Sequence, residues 1–466
     1  MKDFFYKYSN RDDLIAIRTS SQILSYKELF TSAKEFSSKL SLLKNSESKY
    51  IPILSQNNAE FVIATLALWN IGLVPVPINT RWTDKEIDSV LTRNVFKYIL
   101  YEKKFSEKLR KTGIPKISFD EVSSFPYNEV TEISNDEAVV IFTSGSTGIP
   151  KGVIHTFDSL VNSIINGTEI LNQHVSDKWL ASLPFFHIGG FQIICRALSN
   201  ACEIIIPEDS ETVSIRKSIE EFKPTHISLV STQLQRLIDI NTRISNSLKV
   251  TLIGGGFSDD NLLFKADKDG WKPVRVYGSS ETASFVTAAS IDEIKNYPST
   301  VGKPVKNVEI KISDEDEILI STNSLFKCYL NNPEETAAKS VDGFYHSGDL
   351  GKLNNGYLFL EARRSDLIIT GGENVNPYEV EQALLKIKGI KEACVFSLKD
   401  EQWSQKVCAA IVTSAGISEN QIIEILKEDI ASFKIPKEIF FLDSLPKTSL
   451  GKIEREKVKS MFTRNE

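Results

Sequence analysis

The sequence predicts an α/β fold with three parts: a large region of parallel α/β layers, a small antiparallel sheet after it, and a small α+β unit at the end. Three observations carry this. Short apolar blocks alternate with amphipathic helical segments through the first 300 residues, the pattern of stacked βα units. From Val308 onward apolar and polar residues alternate, as in Glu309, Ile310, Lys311, Ile312 and again in Glu317, Ile318, Leu319, Ile320. That is the period of a sheet with one wet face. Beyond Arg363, Arg364, Ser365 and Asp366 lies a block of roughly 100 residues, enough for a separate domain.

Taken in order, residues 50–54 and 98–101 are the first strands. Between them, residues 61–78 form the longest apolar stretch, interrupted by Asn70, Gly72, Pro75 and Pro77. The interruptions predict a buried helix running into a strand, not a membrane span. Residues 139–142 are a short apolar block bounded by turn residues, and 159–165 have helical spacing. Strands are expected at 202–207, 226–230 and 250–253, and another ends near Val274 and Val276. A mostly apolar helix covers 191–198. The small antiparallel sheet takes 309–312, 317–320 and 356–360. The last block reads as helix 378–388, strands 393–397 and 407–412, and helix 419–431. The expected domains are 1–364 and 365–466.

A chain of 466 residues holds two or three domains and needs no covalent staples to stabilise a core. Its cysteines (Cys195, Cys202, Cys328, Cys394, Cys408) show no C-x-x-C spacing and its five histidines are scattered. Neither a disulfide framework nor a zinc site is indicated, and a reduced cytoplasm is the expected setting. With 55 basic and 61 acidic residues mixed along the chain, no basic stripe points to nucleic acid or to an acidic membrane surface. The ligand should be a small molecule. The N-terminal residues, Met1 to Lys7, lack the apolar core of a signal peptide.

The densest chemistry lies in Thr143, Ser144, Gly145, Ser146, Thr147, Gly148, Ile149, Pro150, Lys151 and Gly152. Glycines let backbone amides approach an anion, hydroxyls add donors, and a lysine supplies a point charge. A flexible linker has similar composition, but this run leaves a strand and leads toward a helix. It is not a Walker loop, because Ile149 and Pro150 separate the last glycine from the lysine. Downstream, Tyr277, Gly278, Ser279, Ser280, Glu281 and Thr282 leave a strand end. There an aromatic face suits a purine, and a carboxylate beside hydroxyls suits magnesium. Tyr345, His346, Ser347, Gly348 and Asp349 read as a tight turn that offers an acid to ribose hydroxyls. Strand residues 367–370 run into Gly371 and Gly372, and Lys452 follows a turn begun at Pro446.

In this order the clusters resemble the acyl-adenylate-forming superfamily of acyl-CoA synthetases, coumarate-CoA ligases, luciferases and adenylation domains, over nearly the whole chain. The resemblance implies a large N-terminal domain, a mobile C-terminal domain, and a two-step reaction. A carboxylate attacks the α-phosphate of ATP, and a thiol, that of coenzyme A, then takes the acyl group. It implies that Thr143, Ser144, Gly145, Ser146, Thr147, Gly148 and Lys151 hold the β and γ phosphates. Ser280 would hold an α-phosphate oxygen and Glu281 a magnesium ion. Gly254, Gly255 and Gly256 would lie along the adenine with Tyr277 stacked on it, and Asp349 and Arg363 would bind ribose. Lys452 would bridge the attacking carboxylate and the α-phosphate, and Asp366 would be the hinge that exchanges the Lys452 loop for Gly371 and Gly372 on the CoA side. Ala362 and Ser280 stand where glycine and threonine are usual.

Leu183, Pro184, Phe185, Phe186, His187, Ile188, Gly189 and Gly190 match the segment that lines the acyl pocket in that superfamily. His187 is counted with Glu281 and Lys452 among the catalytic candidates, against a plain packing role. It stands where amino-acid-activating members carry an acid, so an amino acid is not the expected substrate. Arg196 sits in an apolar helix, either paired with an internal acid, turned outward, or meeting a second carboxylate on the substrate. These residues, with 226–230, Thr232, Gln233 and 363–375, resemble the o-succinylbenzoate-CoA ligases of menaquinone synthesis. A general aryl or medium-chain acyl-CoA ligase is the alternative, and a carrier-protein adenylation partner or silent binding homologue a third. No sequence feature sets the oligomeric state, and a homodimer stays open.

Overall fold

The apolar stretch after residue 58 divides as its composition dictates. In the computed structural model, Asn58 caps the helix Ala59–Asn70 by accepting from the Phe61 amide. That helix is apolar nearly all round and is buried except at Glu60 and, in part, Ile63. The chain then turns at Gly72, with φ +75, into the strand Val74–Pro77. This strand lies at one edge of a parallel four-stranded sheet, ordered Val74–Pro77, Tyr50–Leu54, Ile99–Tyr101, Lys116–Ser118. An edge position is where Pro75 and Pro77, which lack an N–H, are tolerated.

The structure describes residues 2–41, 43, 48–127, 135–143, 150–256, 258–363, 368–370, 373–400, 404–414, 416–430, 432–448 and 451–463. The chain forms two compact units. The first comprises Met1–Glu309 and Ile320–Tyr345, the second Ile310–Leu319 and His346–Glu466.

Within the first unit a nine-stranded sheet has a parallel centre. Pro273–Ser279, Val250–Ile253, His226–Leu229, Lys178–Leu180, Glu203–Ile205 and Ile15–Arg18 lie side by side in parallel. Antiparallel strands finish both edges. A third, three-stranded sheet is antiparallel throughout: Glu137–Thr143 pairs with Lys151–Thr156, which pairs with Cys328–Tyr329. The sequence alternation thus identified the parallel layers, while this small sheet departs from them. Its central strand runs into the helix Phe157–Asn166, capped by the Thr156 hydroxyl on the Ser159 amide.

In the second unit Phe344–Asn354 pairs antiparallel with Tyr357–Arg363. Residues 345–349, expected as a tight turn, are therefore strand. The Ser347 hydroxyl donates to the Ile318 carbonyl and the Gly348 amide to the Glu317 carboxylate, which ties this stretch to the neighbouring strand although Gly348 itself has φ +75. The remainder is α+β. Helix Pro377–Leu385 and helix Glu419–Asp429 accompany a sheet ordered Ile390–Asp400, Ser404–Thr413, Glu438–Phe441. Its core includes Val380, Leu384, Val395, Ala409, Ile411 and Leu426.

Candidate active site

Four neighbouring parallel strands of the nine-stranded sheet end at the same edge, and each delivers a candidate residue there. Lys178–Leu180 leads to the segment ending at His187, and His226–Leu229 to Val230 and Gln233. Val250–Ile253 leads to Gly254, Gly255 and Gly256, and Pro273–Ser279 to Ser280 and Glu281. Carboxyl ends of parallel strands are where open α/β sheets bind ligands. Gly255 has φ +78, a left-handed conformation that glycine adopts without cost. The Gly254 amide donates to the Leu229 carbonyl across the sheet. Tyr277 is nearly enclosed, opposite Thr287 on the next strand.

Thr143 and Lys151 are cross-strand partners at the mouth of the antiparallel hairpin. Ser144, Gly145, Ser146, Thr147 and Gly148 between them lie outside the described residues. The Lys151 ammonium is 2.6 Å from Glu335 Oε1, on the helix Pro333–Lys339, and 5.8 Å from the centre of the Tyr329 ring. The lysine is thus held by a carboxylate and an aromatic face at the mouth of the expected phosphate site.

Tyr329 connects this lysine to the carboxylate cluster. Its hydroxyl donates to Glu281 Oε1 at 2.8 Å. Burial, then the charge of Glu281, hold the phenol far above its usual pKa, so it remains a donor. Residues 280–283 form the turn between Pro273–Ser279 and the antiparallel Ser284–Ala289. A Cβ on Gly278 would lie 2.0 Å from the Ser284 carbonyl oxygen, so only glycine fits this approach. Behind the turn, fully buried His155 places Nε2 2.7 Å from the Ser280 carbonyl. Among the described residues no cluster of three or more His, Cys, Asp or Glu side chains could hold a metal. A single carboxylate fits magnesium nonetheless, since that ion takes one or two protein carboxylates and completes its shell with phosphate oxygens and water.

His187 is the N-cap residue of the helix Ile188–Asn200 and packs on Phe186 at 4.6 Å between ring centres. Burial, and then the nearby Arg81, lower its pKa to about 4, so the imidazole is neutral at pH 7. Phe186 and Arg81 line an adjoining cleft with Gln56, Asn57, Ser182 and Asp209. Gly190 lets the first helical turn approach the Pro184 backbone, where a Cβ would meet the carbonyl oxygen at 2.1 Å.

Arg196 lies further along the same helix, about 12 Å from its start. It is 1 % exposed, which excludes the outward-facing alternative. Its Nη2 donates to the Ser284 hydroxyl at 2.9 Å, and its Cζ lies 5.6 Å from the Trp179 ring and 5.2 Å from Phe285. Among the described residues no carboxylate pairs with it, and its Nε has no hydrogen-bond partner. Burial lowers its pKa to about 10, which leaves it charged at neutral pH. His187 and Arg196 therefore occupy different surroundings on one helix.

In the second unit the sheet register sets Asp349 opposite Arg363. The two residues expected at the ribose are thus cross-strand neighbours. Lys452 sits on a short hairpin in which Lys447 bridges to Ile453, the Thr448 amide donates to the Lys452 carbonyl, and Gly451 turns with φ +80. Both flanks of the hairpin are tied down, by Lys447 to Glu392 at 2.6 Å and by Arg455 to Glu381 at 2.8 Å. Asp366, Gly371 and Gly372 lie outside the described residues, with the last two between the paired strands Ile368–Thr370 and Glu373–Val375.

Sequence reasoning missed His155, Tyr329 and Glu335. Each reaches the site through strand pairing or helix placement from a distant part of the chain, and no local motif marks them.

Comparison with known proteins shows the family. Residues 4–330 match the AMP-binding enzyme family and residues 379–452 the AMP-binding enzyme C-terminal domain. A 2-succinylbenzoate–CoA ligase of Listeria monocytogenes is 32% identical over 94% of this chain and 95% of its own length. The Bacillus subtilis ligase of the same name is 30% identical over 96% of this chain and 94% of its own. The structure of o-succinylbenzoate CoA synthetase from Bacillus subtilis in complex with the acyl-adenylate intermediate superposes with a TM-score of 0.92 at 29% identity, covering 98% of both chains. The same enzyme in complex with ATP and magnesium superposes with a TM-score of 0.91, covering 98% of this chain and 99% of the other.

Proposed function

The chain belongs to the family of AMP-binding enzymes, and from that premise we propose that it is a 2-succinylbenzoate–CoA ligase. It joins a carboxylate to coenzyme A with ATP, releasing AMP and pyrophosphate. In the first half-reaction a carboxylate oxygen attacks the α-phosphorus and pyrophosphate leaves; in the second the CoA thiol attacks the acyl carbonyl and AMP leaves. Thr143, residues 144–148 and Lys151 receive the β and γ phosphates, Ser280 the α-phosphate, and residues 254–256 with Tyr277 the adenine. Asp349 and Arg363 receive the ribose. Magnesium, which Glu281 would ligate, supplies charge neutralisation on the phosphates when bound. Lys452 neutralises charge growing between the carboxylate and the α-phosphate, at the stage of greatest need. Residues 365–466 move as a body about Asp366 between the two half-reactions, and bring Gly371 and Gly372 to the CoA side. The setting is the cytoplasm, and a homodimer is the assembly to look for by light scattering.

The observation that carries the substrate is Arg196. A buried, charged guanidinium with an unused Nε–H and no described acid partner needs an anion. A second carboxylate on the substrate supplies one. Neutral His187 with Arg81 beside it offers nothing to hold an ammonium, which argues against amino acids. The test is CoA-thioester formation with ATP across a panel of 2-succinylbenzoate, benzoates, coumarate and fatty acids. Preference for 2-succinylbenzoate supports the reading, and an inert 2-succinylbenzoate overturns it.

A further inference from the structure

The turn at 280–283 contains backbone that does not hold itself. Ala283 has φ +56 and Ser284 φ +134, both in the region that side chains disfavour. Such residues persist only where their surroundings fix them. The Ala283 carbonyl is held directly, accepting from the Ser163 hydroxyl at 3.0 Å and from Gln192 Nε2 at 2.8 Å, and three further attachments hold the residues before it. The Glu281 carbonyl accepts from the Phe326 amide at 2.7 Å. The Thr282 hydroxyl bonds to the backbone of Ser279 and Ser284. The Ser280 carbonyl receives His155 Nε2 at 2.7 Å, closer than its other donor, the Ala283 amide at 3.3 Å.

The geometry decides which proton the histidine carries. A carbonyl only accepts, so Nε2 bears the hydrogen. In a neutral ring Nδ1 is then an acceptor, and it shares the single proton of the Ser159 hydroxyl, 3.1 Å away, with the Thr156 carbonyl at 3.0 Å. Ser159 is itself fixed in the capping box of the helix Phe157–Asn166. Burial keeps the ring neutral, with a pKa of about 4. His155 and Lys151 also share one strand, Lys151–Thr156. One short element therefore carries the phosphate lysine at its start and a prop for the Ser280–Glu281 turn near its end.

We propose that His155 is a positioning residue for adenylation: by pinning the Ser280 carbonyl it holds a strained turn, and so aims the Ser280 hydroxyl and the Glu281 carboxylate at ATP and its magnesium. This rests on the roles given above to Ser280 and Glu281. It touches the first half-reaction, not the capture of the acyl group by CoA.

The test measures two half-reactions on the full chain: 2-succinylbenzoate-dependent pyrophosphate release as a function of magnesium, and thioester formation from supplied acyl-adenylate and CoA. His155→Leu fills the space without a donor, and His155→Gln restores one. His155→Leu should raise the magnesium concentration for half-maximal pyrophosphate release about 5- to 20-fold, the effect of one lost hydrogen bond with its acceptor left buried. Thioester formation should stay within about twofold, and His155→Gln should recover most of the loss. An unchanged magnesium requirement, equal losses in both half-reactions, or a His155→Gln no better than His155→Leu would overturn the proposal. If His155→Leu does not fold, Ser159→Ala carries the test: a shift of about threefold in the same direction supports it and an unaltered value overturns it. Absence of pyrophosphate release by the unmodified enzyme would instead overturn the ligase reading itself.

Discussion

Replacing Arg196 by methionine separates substrate recognition from packing. The guanidinium is 1 % exposed, bonded to the Ser284 hydroxyl and flanked by the Trp179 and Phe285 rings. Methionine keeps most of the buried volume and removes a charge that no described acid neutralises. Substitution of buried charges by apolar side chains of similar size is often neutral or stabilising by about 1–4 kcal/mol. The loss of one hydrogen bond from a charged donor and two cation–π contacts offsets this by about 2–4 kcal/mol. Stability should therefore change little. A hydrogen bond to a charged group is worth about 1.5–3 kcal/mol, so kcat/KM for 2-succinylbenzoate should fall about 10- to 100-fold. A monoacid analogue that lacks the ring carboxylate should be almost unaffected. The assay is thioester formation with both acids, beside urea unfolding. Equal losses with both substrates would refute the reasoning and make Arg196 a packing residue.

Three further outcomes are expected. Lys452→Ala should nearly abolish carboxylate-dependent pyrophosphate release while thioester formation from supplied acyl-adenylate survives; equal loss in both would contradict a role confined to adenylation. Glu335→Gln releases Lys151 from a partly buried ion pair, with side chains 21% and 30% exposed. Pyrophosphate inhibition should become tighter by about two- to fivefold, the range of partly screened pairs; weaker inhibition would mean that Glu335 orients the lysine. The last concerns acid. His155 and His187 have folded pKa values of about 4, below the unfolded value of about 6.5. The unfolded chain thus binds more protons below pH 6.5, and stability is lost as pH falls toward 4. Each histidine should remove about 2 kcal/mol between pH 7 and 5. Urea unfolding at both values should show a smaller difference in His155→Gln, and an equal difference would show that His155 does not carry it.

The layers were legible because burial leaves a period in the sequence. Residues 50–54 and 250–253 are strands at the expected limits, and the interrupted stretch from 61 became the helix Ala59–Asn70 and the strand Val74–Pro77. Residues 345–349 were misread because Ser, Gly and Asp together signal a turn. That signal is local. The bonds that override it come from Glu317 and Ile318, outside the cluster. Helix Pro377–Leu385 likewise ends short of 388, with Lys386 as its C-cap.

The site shows the same division at the level of single residues. The groups proposed to meet the ligands were legible because the proposed chemistry demands their type: a lysine for phosphate, a carboxylate for magnesium, glycines where backbone must approach. Groups that aim them were not, because any donor at the right place would serve. Tyr329 reaches Lys151 through the pairing of Cys328–Tyr329 with Lys151–Thr156, a contact that joins residues 176 positions apart at Val153. His155 reaches Ser280 from near the other end of the same strand. A small three-stranded antiparallel sheet therefore organises the parts of the candidate site that no motif announces. Its central strand couples Lys151 to the Ser280–Glu281 turn. A substitution that shifts the register of Lys151–Thr156 should disturb both at once, whereas one confined to either end should disturb only one.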